Sequence, residues 1–159
     1  MPENSLNSHP SPYGIGGWLL IYLVLTSCGI IIMIVQSLSE LIISKETPYL
    51  IPAVASTSVL IIIWNIVYGV LLYRLVRLRR GAVTHIKAML IAAPIFNMFL
   101  PFIFSGVLVR TIGGQFSEIV QMAYDSSTVA RLIGVTIAAA IWYNYFRVSK
   151  RIRNTWPEG

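Results

Sequence analysis

Two histidines, one cysteine and six acidic residues make up the chemically versatile part of this 159-residue chain. His9 lies in an N-terminal tail and His85 in a basic turn, so they do not form the paired axial ligands of a membrane haem. With a single cysteine they make no zinc set either. Cys28 alone excludes an intramolecular disulfide and dithiol redox chemistry. No serine or threonine of the apolar stretches has a His or Lys at helical spacing to activate it. Gly113-Gly114 is too short for a phosphate loop. No catalytic residue, metal site or cofactor is therefore expected, and the chain reads as a non-enzyme. What remains is a sparse polar set, Gln36, Asn65, Asn97, Asn144 and Arg131, inside stretches that are otherwise almost uncharged. Buried in lipid such groups lose free energy unless partnered, which makes them the candidate intramembrane polar contacts.

The elements that position this set follow from charge spacing. The chain is 56% apolar and only 11% charged, with a mean hydropathy of +0.73. Residues 4–39, 47–73, 88–109 and 132–146 contain no Asp, Glu, Lys or Arg. The first three exceed the roughly 20 residues that cross a hydrocarbon core. A soluble domain, a disordered chain and a disulfide scaffold are excluded. The spacing predicts an all-α integral membrane fold with spans at about 17–39, 52–73, 88–109 and 128–146. Helices satisfy their backbone polar groups internally, and the continuous apolar runs lack the alternation of a barrel. The four spans form one domain over 14–156, between a polar disordered tail at 1–13 and a short tail at 157–159.

Nine of the twelve Lys and Arg residues fall on the side shared by both termini and the middle loop. By the positive-inside rule that side, with both termini, is cytoplasmic. The net charge of +6 is thereby explained by topology, and nucleic acid is not an expected partner. The basic groups Arg74, Arg77, Arg79, Arg80, Arg147, Lys150, Arg151 and Arg153 are instead candidate contacts for anionic lipid headgroups. Leu25-Thr26-Ser27-Cys28 resembles a lipoprotein cleavage box, yet the apolar run continues through Val35 and residues 1–16 lack a basic segment. An uncut first helix is the better reading.

The connections carry further expectations. Within the third loop Phe116, Ile119, Val120, Ala123 and Tyr124 recur on one helical face, predicting a short amphipathic helix at the interface. Asp125, Ser126 and Ser127 offer caps for the fourth span. Pro94 and Pro101 predict a kinked third helix. Gly134/Ala138, Ala88/Ala92 and Ala53/Thr57 are small-residue pairs suited to close helix seams. Asn65, Asn97 and Asn144, on three different spans, are placed to hydrogen-bond across the bundle. Packing is the favoured reading of them, and a polar path is the alternative. Arg131 is read as snorkelling to headgroups, with an ion pair to Glu118 or Asp125 as its alternative. Trp64 falls near mid-bilayer and is expected to pack.

The opening run Gly14-Ile15-Gly16-Gly17-Trp18-Leu19-Leu20 and the closing run from Ala140 through Trp142, Tyr143, Tyr145, Phe146, Lys150 and Arg151 to Trp156 resemble the two ends of a bacterial membrane family. It is the YdgK-like group, domain of unknown function 2569. The resemblance implies a four-span inner-membrane protein from about Gly14 to Trp156, without an established activity or ligand. Gly16, Gly17, Trp18, Trp142, Tyr145 and Phe146 are the motif residues, expected as a bend and as interface anchors. Arg147 to Arg153 are expected to continue the fourth helix into the headgroups, with Trp156 turned back as an anchor. The leading functional reading is an accessory or interaction protein, whose partners are the lipid bilayer and other membrane proteins or a second copy. The alternative is a small transporter, or a transporter subunit, with a polar path between helices.

Overall fold

The computed structural model describes residues 17–156. The 1–13 tail, His9, Gly16 and residues 157–159 lie outside the described residues, as do the side chains of Phe116, Glu118, Ile119 and Met122. Six α-helices follow in order: α1 (Trp18–Ile43), α2 (Ile51–Val76), α3 (Ala82–Ile112), α4 (Phe116–Ala123), α5 (Ser126–Val148) and α6 (Lys150–Thr155). Of these, α1, α2, α3 and α5 are long and apolar enough to cross a membrane. This is the expected all-α, four-span architecture, and α4 is the short helix expected in the third loop. The helices overrun the uncharged stretches: α3 takes in His85 and Lys87 at one end and Arg110 at the other. Helical hydrogen bonding does not stop at the hydrocarbon edge, and basic side chains near a helix end reach water along their own stems.

Local chemistry sets each joint. Gly17 precedes α1 at φ 55°, a conformation that favours glycine. α2 ends with the Arg79 amide on the Arg74 carbonyl and the Leu78 amide on the Leu75 carbonyl, both at 3.0 Å. That is a Schellman cap, with Leu78 in the left-handed position at φ 52° where glycine is usual. Asp125 caps α5, accepting the Thr128 amide at 2.8 Å and the Ser127 hydroxyl at 2.7 Å. α4 packs on α3, and the Tyr124 hydroxyl donates to the Met98 carbonyl at 3.1 Å. Pro94 and Pro101 sit within α3, which stays helical from Ala82 to Ile112. Each proline removes one donor, leaving the carbonyls of Leu90 and Asn97 without their usual helical partners.

The spans pack as an arc. α1 lies against α2, α2 against α3 and α3 against α5. The two ends of the arc, α1 and α5, meet through aromatic rings: Tyr22 lies 4.8 Å from Trp142 and 5.0 Å from Phe146, centroid to centroid. These contacts sit at the basic end, the end holding the α2–α3 turn and α6. The main buried cluster is there too, joining Leu19, Tyr22, Leu75, Val83, Ile86, Phe146, Ile152 and Trp156.

α6 corrects one expectation. The fourth helix does not run on through Arg153; it breaks at Ser149, whose backbone is extended and whose hydroxyl caps α6 at the Ile152 amide. The break turns Ile152 and Trp156, one helical turn apart, under the cluster, where they are 0% and 4% exposed. Arg153 stays exposed. Burying two large apolar side chains outweighs a few helical hydrogen bonds that water replaces. Trp156 is thus a core residue rather than a headgroup anchor.

Candidate functional site: two joined chambers between the spans

The concave side of the arc holds two cavities stacked along its axis. The inner chamber, about 410 Å³, is lined from all four spans. Its floor is the aromatic closure at the basic end. There the Tyr22 and Tyr68 hydroxyls lie 2.5 Å apart, joining α1 to α2, with Trp142 beside them. Trp64 and Phe96 stack at 4.3 Å and 10° on one wall, holding α2 to α3. The polar side chains lining this chamber include Thr26, Asn65 and Asn97 together with the two tyrosines.

Above it, away from the basic end, lies the rim chamber of about 330 Å³. Gln36, Ser37, Thr57, Ser105 and Thr128 line it, together with Glu40, Asp125 and Arg131. Met33, Ile61 and Leu100 line both chambers and so form the waist between them. Small residues beside it let α1 and α2 approach closely. Ser37, Ala53, Thr57 and Ser58 are all buried, and the Ser58 hydroxyl reaches the Ser37 carbonyl at 3.4 Å. Asp125 is exposed, and bonds from Thr128 and Ser127 pull its carboxyl down to a pKa of about 2. It therefore carries its charge throughout the physiological range.

The asparagines behave differently from the expectation of cross-bundle bonds. Asn65 donates to the Ile61 carbonyl at 2.8 Å and Asn97 to the Ala93 carbonyl at 2.9 Å, each one turn back on its own helix. With open space between the helices, the nearest acceptor is local. The two nevertheless share the inner chamber. Asn144 is exposed and lines neither chamber. Arg131 is exposed at the rim, and among the described residues it makes no ion pair with Asp125.

The family described as "Protein of unknown function (DUF2569)" matches residues 12–156. The chain belongs to that family. No curated protein and no solved structure matches it. The match covers nearly all of this DUF2569 protein, and its closing motif builds the chamber floor. Trp142 lines the inner chamber, Phe146 is buried edge-on to Tyr22, and Tyr145 packs edge-on to both Trp142 and Phe146. Trp18, by contrast, is 65% exposed, as an interface anchor would be.

The eight basic residues expected at lipid headgroups form two groups in this DUF2569 chain. Arg74, Arg77, Arg79 and Arg80 surround a recess at the α2–α3 turn, where Arg77 also lies over the Tyr73 ring. Arg147, Lys150 and Arg153 are exposed on the α5–α6 side, with Arg151 half-buried. Sequence reasoning missed the Tyr22–Tyr68 pair and the rim residues Glu40, Ser37, Thr57 and Ser105. Tyr22 lies near the start of its span, where an aromatic side chain is ordinarily an interface ring, and its contacts with Tyr68, Trp142 and Phe146 mark it as the floor. The small polar residues gave a signal, since all lie on the halves of α1, α2 and α3 remote from the basic end.

Proposed function

We propose that this multi-pass DUF2569 protein is a small carrier or transporter subunit, not an enzyme, and that the two chambers are its substrate path. It lies in a bacterial inner membrane with its basic end in the cytoplasm, by the charge asymmetry of its loops. The observation that carries the reading is that Asn65 and Asn97, on neighbouring spans, line one cavity that shares the Met33–Ile61–Leu100 waist with a polar rim. A bundle built only for packing has no reason to hold amides beside a cavity of that size at mid-membrane. The volume lies in the range of about 300–1,000 Å³ usual for small-molecule sites. The path is open toward the rim and closed by aromatic rings toward the cytoplasm.

Thiol accessibility tests this. On a Cys28→Ser background, which removes the one native thiol, Ser105→Cys and Asn97→Cys are exposed to a small membrane-impermeant thiol reagent on each face of sealed vesicles. Ser105→Cys is expected to react from the non-cytoplasmic face, and Asn97→Cys from the same face while the inner chamber holds no lipid; lipid-facing Val70→Cys stays inert. Silence of both from either face overturns the reading. Asn65→Leu with Asn97→Leu should leave folding intact, because their bonds are local, and abolish passage.

A second reading, an accessory protein docking on another membrane protein, draws on the exposed small residues Ala88 and Gly134. A side chain added at Gly134 would meet nothing within 4 Å, so no seam inside the protein uses it. Gly134→Cys cross-linked in membranes to a protein of defined mass would favour that reading.

A further inference from the structure

Every residue of the inner chamber that is exposed, Leu25, Met33 and Ala138, belongs to α1 or α5. The same holds at the rim, where Gln36, Glu40 and Arg131 are exposed and Asp125 caps α5. The chamber linings contributed by α2 and α3 are all buried or half-buried. Both cavities therefore open sideways, through one continuous cleft between the ends of the arc. A side chain added at Gly29, on the cleft's α1 wall, would meet nothing within 4 Å. The cleft faces the bilayer, and among the described residues the ring contacts across it are those of Tyr22 with Trp142 and Phe146, at its foot.

Its chemistry changes along its length as a lipid's does. From Leu25 to Gln36 is eleven residues of helix, about 16 Å, close to half of the roughly 30 Å hydrocarbon core. The chamber beside that stretch is lined mostly by apolar and aromatic side chains, and its two asparagine amides donate back to their own helices. The charged groups begin above it: one guanidinium, Arg131, and two carboxylates, Glu40 and Asp125. One cation facing two anions suits a head bearing both signs better than a purely anionic one. Carboxylates reward an ammonium that can donate N–H bonds, whereas a quaternary ammonium binds best in an aromatic cage. The rim offers the single ring of Phe104.

We propose that the cleft between α1 and α5 takes a phospholipid from the non-cytoplasmic leaflet, with a phosphate and a primary ammonium in its head. One acyl chain fills the inner chamber, the phosphate faces Arg131, and the ammonium faces Glu40 and Asp125. The proposal rests on the carrier reading and names its cargo.

The test uses full-length protein in phosphatidylcholine vesicles doped with a phosphatidylethanolamine carrying a photoreactive diazirine in mid-chain. Matched phosphatidylglycerol and phosphatidylcholine probes run in parallel, and adducts are mapped by mass spectrometry. Adducts are expected on α1 near Gly29 and on α5 near Ala138, about fivefold more for the ethanolamine probe, equivalent to about 1 kcal/mol. Glu40→Gln with Arg131→Gln should bring the three probes level while leaving the adduct positions unchanged. Gly29→Trp should block the cleft and remove the adducts.

Equal labelling by all probes, preference for phosphatidylglycerol, or adducts confined to outward residues such as Val70 each overturns the proposal. If the cysteines at 97 and 105 react while no cleft adduct forms, the path stands and only the lipid cargo fails. If those cysteines are also silent, the carrier reading falls with it.

Discussion

The hydroxyl of Tyr22 on α1 lies 2.5 Å from that of Tyr68 on α2, directly beneath the inner chamber. The bond crosses between helices 46 residues apart in sequence and ties the first wall of the arc to the second at the level where the cavity ends. Tyr22 also holds α5 through Trp142 and Phe146, so one 1%-exposed side chain closes three helices together. The floor depends on that residue.

Removing either hydroxyl should therefore weaken the bundle modestly and in a coupled way. Tyr22→Phe and Tyr68→Phe are each expected to cost about 0.6 kcal/mol, up to roughly 1.7 kcal/mol, the range for interhelical bonds in membranes. The double variant should cost little more than either single one, measured by a double-mutant cycle of unfolding in mixed micelles. Simple additivity would show that the two hydroxyls do not act as a pair.

Leu78 supplies a prediction of the opposite sign. It occupies the left-handed cap position after α2 at φ 52°, with its side chain half in solvent. Leu78→Gly relieves a strain of roughly 1 kcal/mol while keeping both cap hydrogen bonds. The unfolding midpoint should rise. A fall would mean that the leucine side chain, not the backbone, matters at this turn.

Trp156 separates packing from hydrogen bonding. Its ring is buried under the basic-end cluster, and its indole Nε1 has no hydrogen-bond partner. Trp156→Phe removes that stranded donor along with some packing, so stability should change by less than about 1 kcal/mol. Trp156→Ala should cost roughly 3–5 kcal/mol, as large-to-small core changes do. Comparable losses for the two variants would point to a partner for the indole N–H.

At Asp125 the expected signal is a pH dependence. Bonds from Thr128 and Ser127 hold its carboxyl at about 2, below its unfolded value near 3.9. A carboxyl with a depressed pKa stabilises the fold above its unfolded value and loses that contribution as pH falls through the folded one. Hydrogen-exchange protection of the Thr128 amide should thus hold from neutral pH down to about 4 and decline toward 2. In Asp125→Ser, which caps without charge, this decline should be absent. A transition centred at the ordinary carboxylate value would show that the cap leaves Asp125 unperturbed.

Much of this molecule is already determined by its residues in order. Long runs without Asp, Glu, Lys or Arg fix four spans, because a backbone in lipid must satisfy itself and length decides whether it crosses. The apolar periodicity of 116–124 specifies α4, and Asp125 specifies where α5 starts through its bond to the Thr128 amide; both signals lie within a few residues. The opening between α1 and α5, the Tyr22–Tyr68 floor, the tuck of Trp156 and the shared chamber of Asn65 and Asn97 belong to the tertiary structure alone. In lipid every span is apolar all round, so hydropathy does not mark which face turns inward. That choice falls to shape: stacked Trp64 and Phe96 hold two helices together and small residues bring α1 and α2 close, whereas among the described residues α1 and α5 meet chiefly at their aromatic foot.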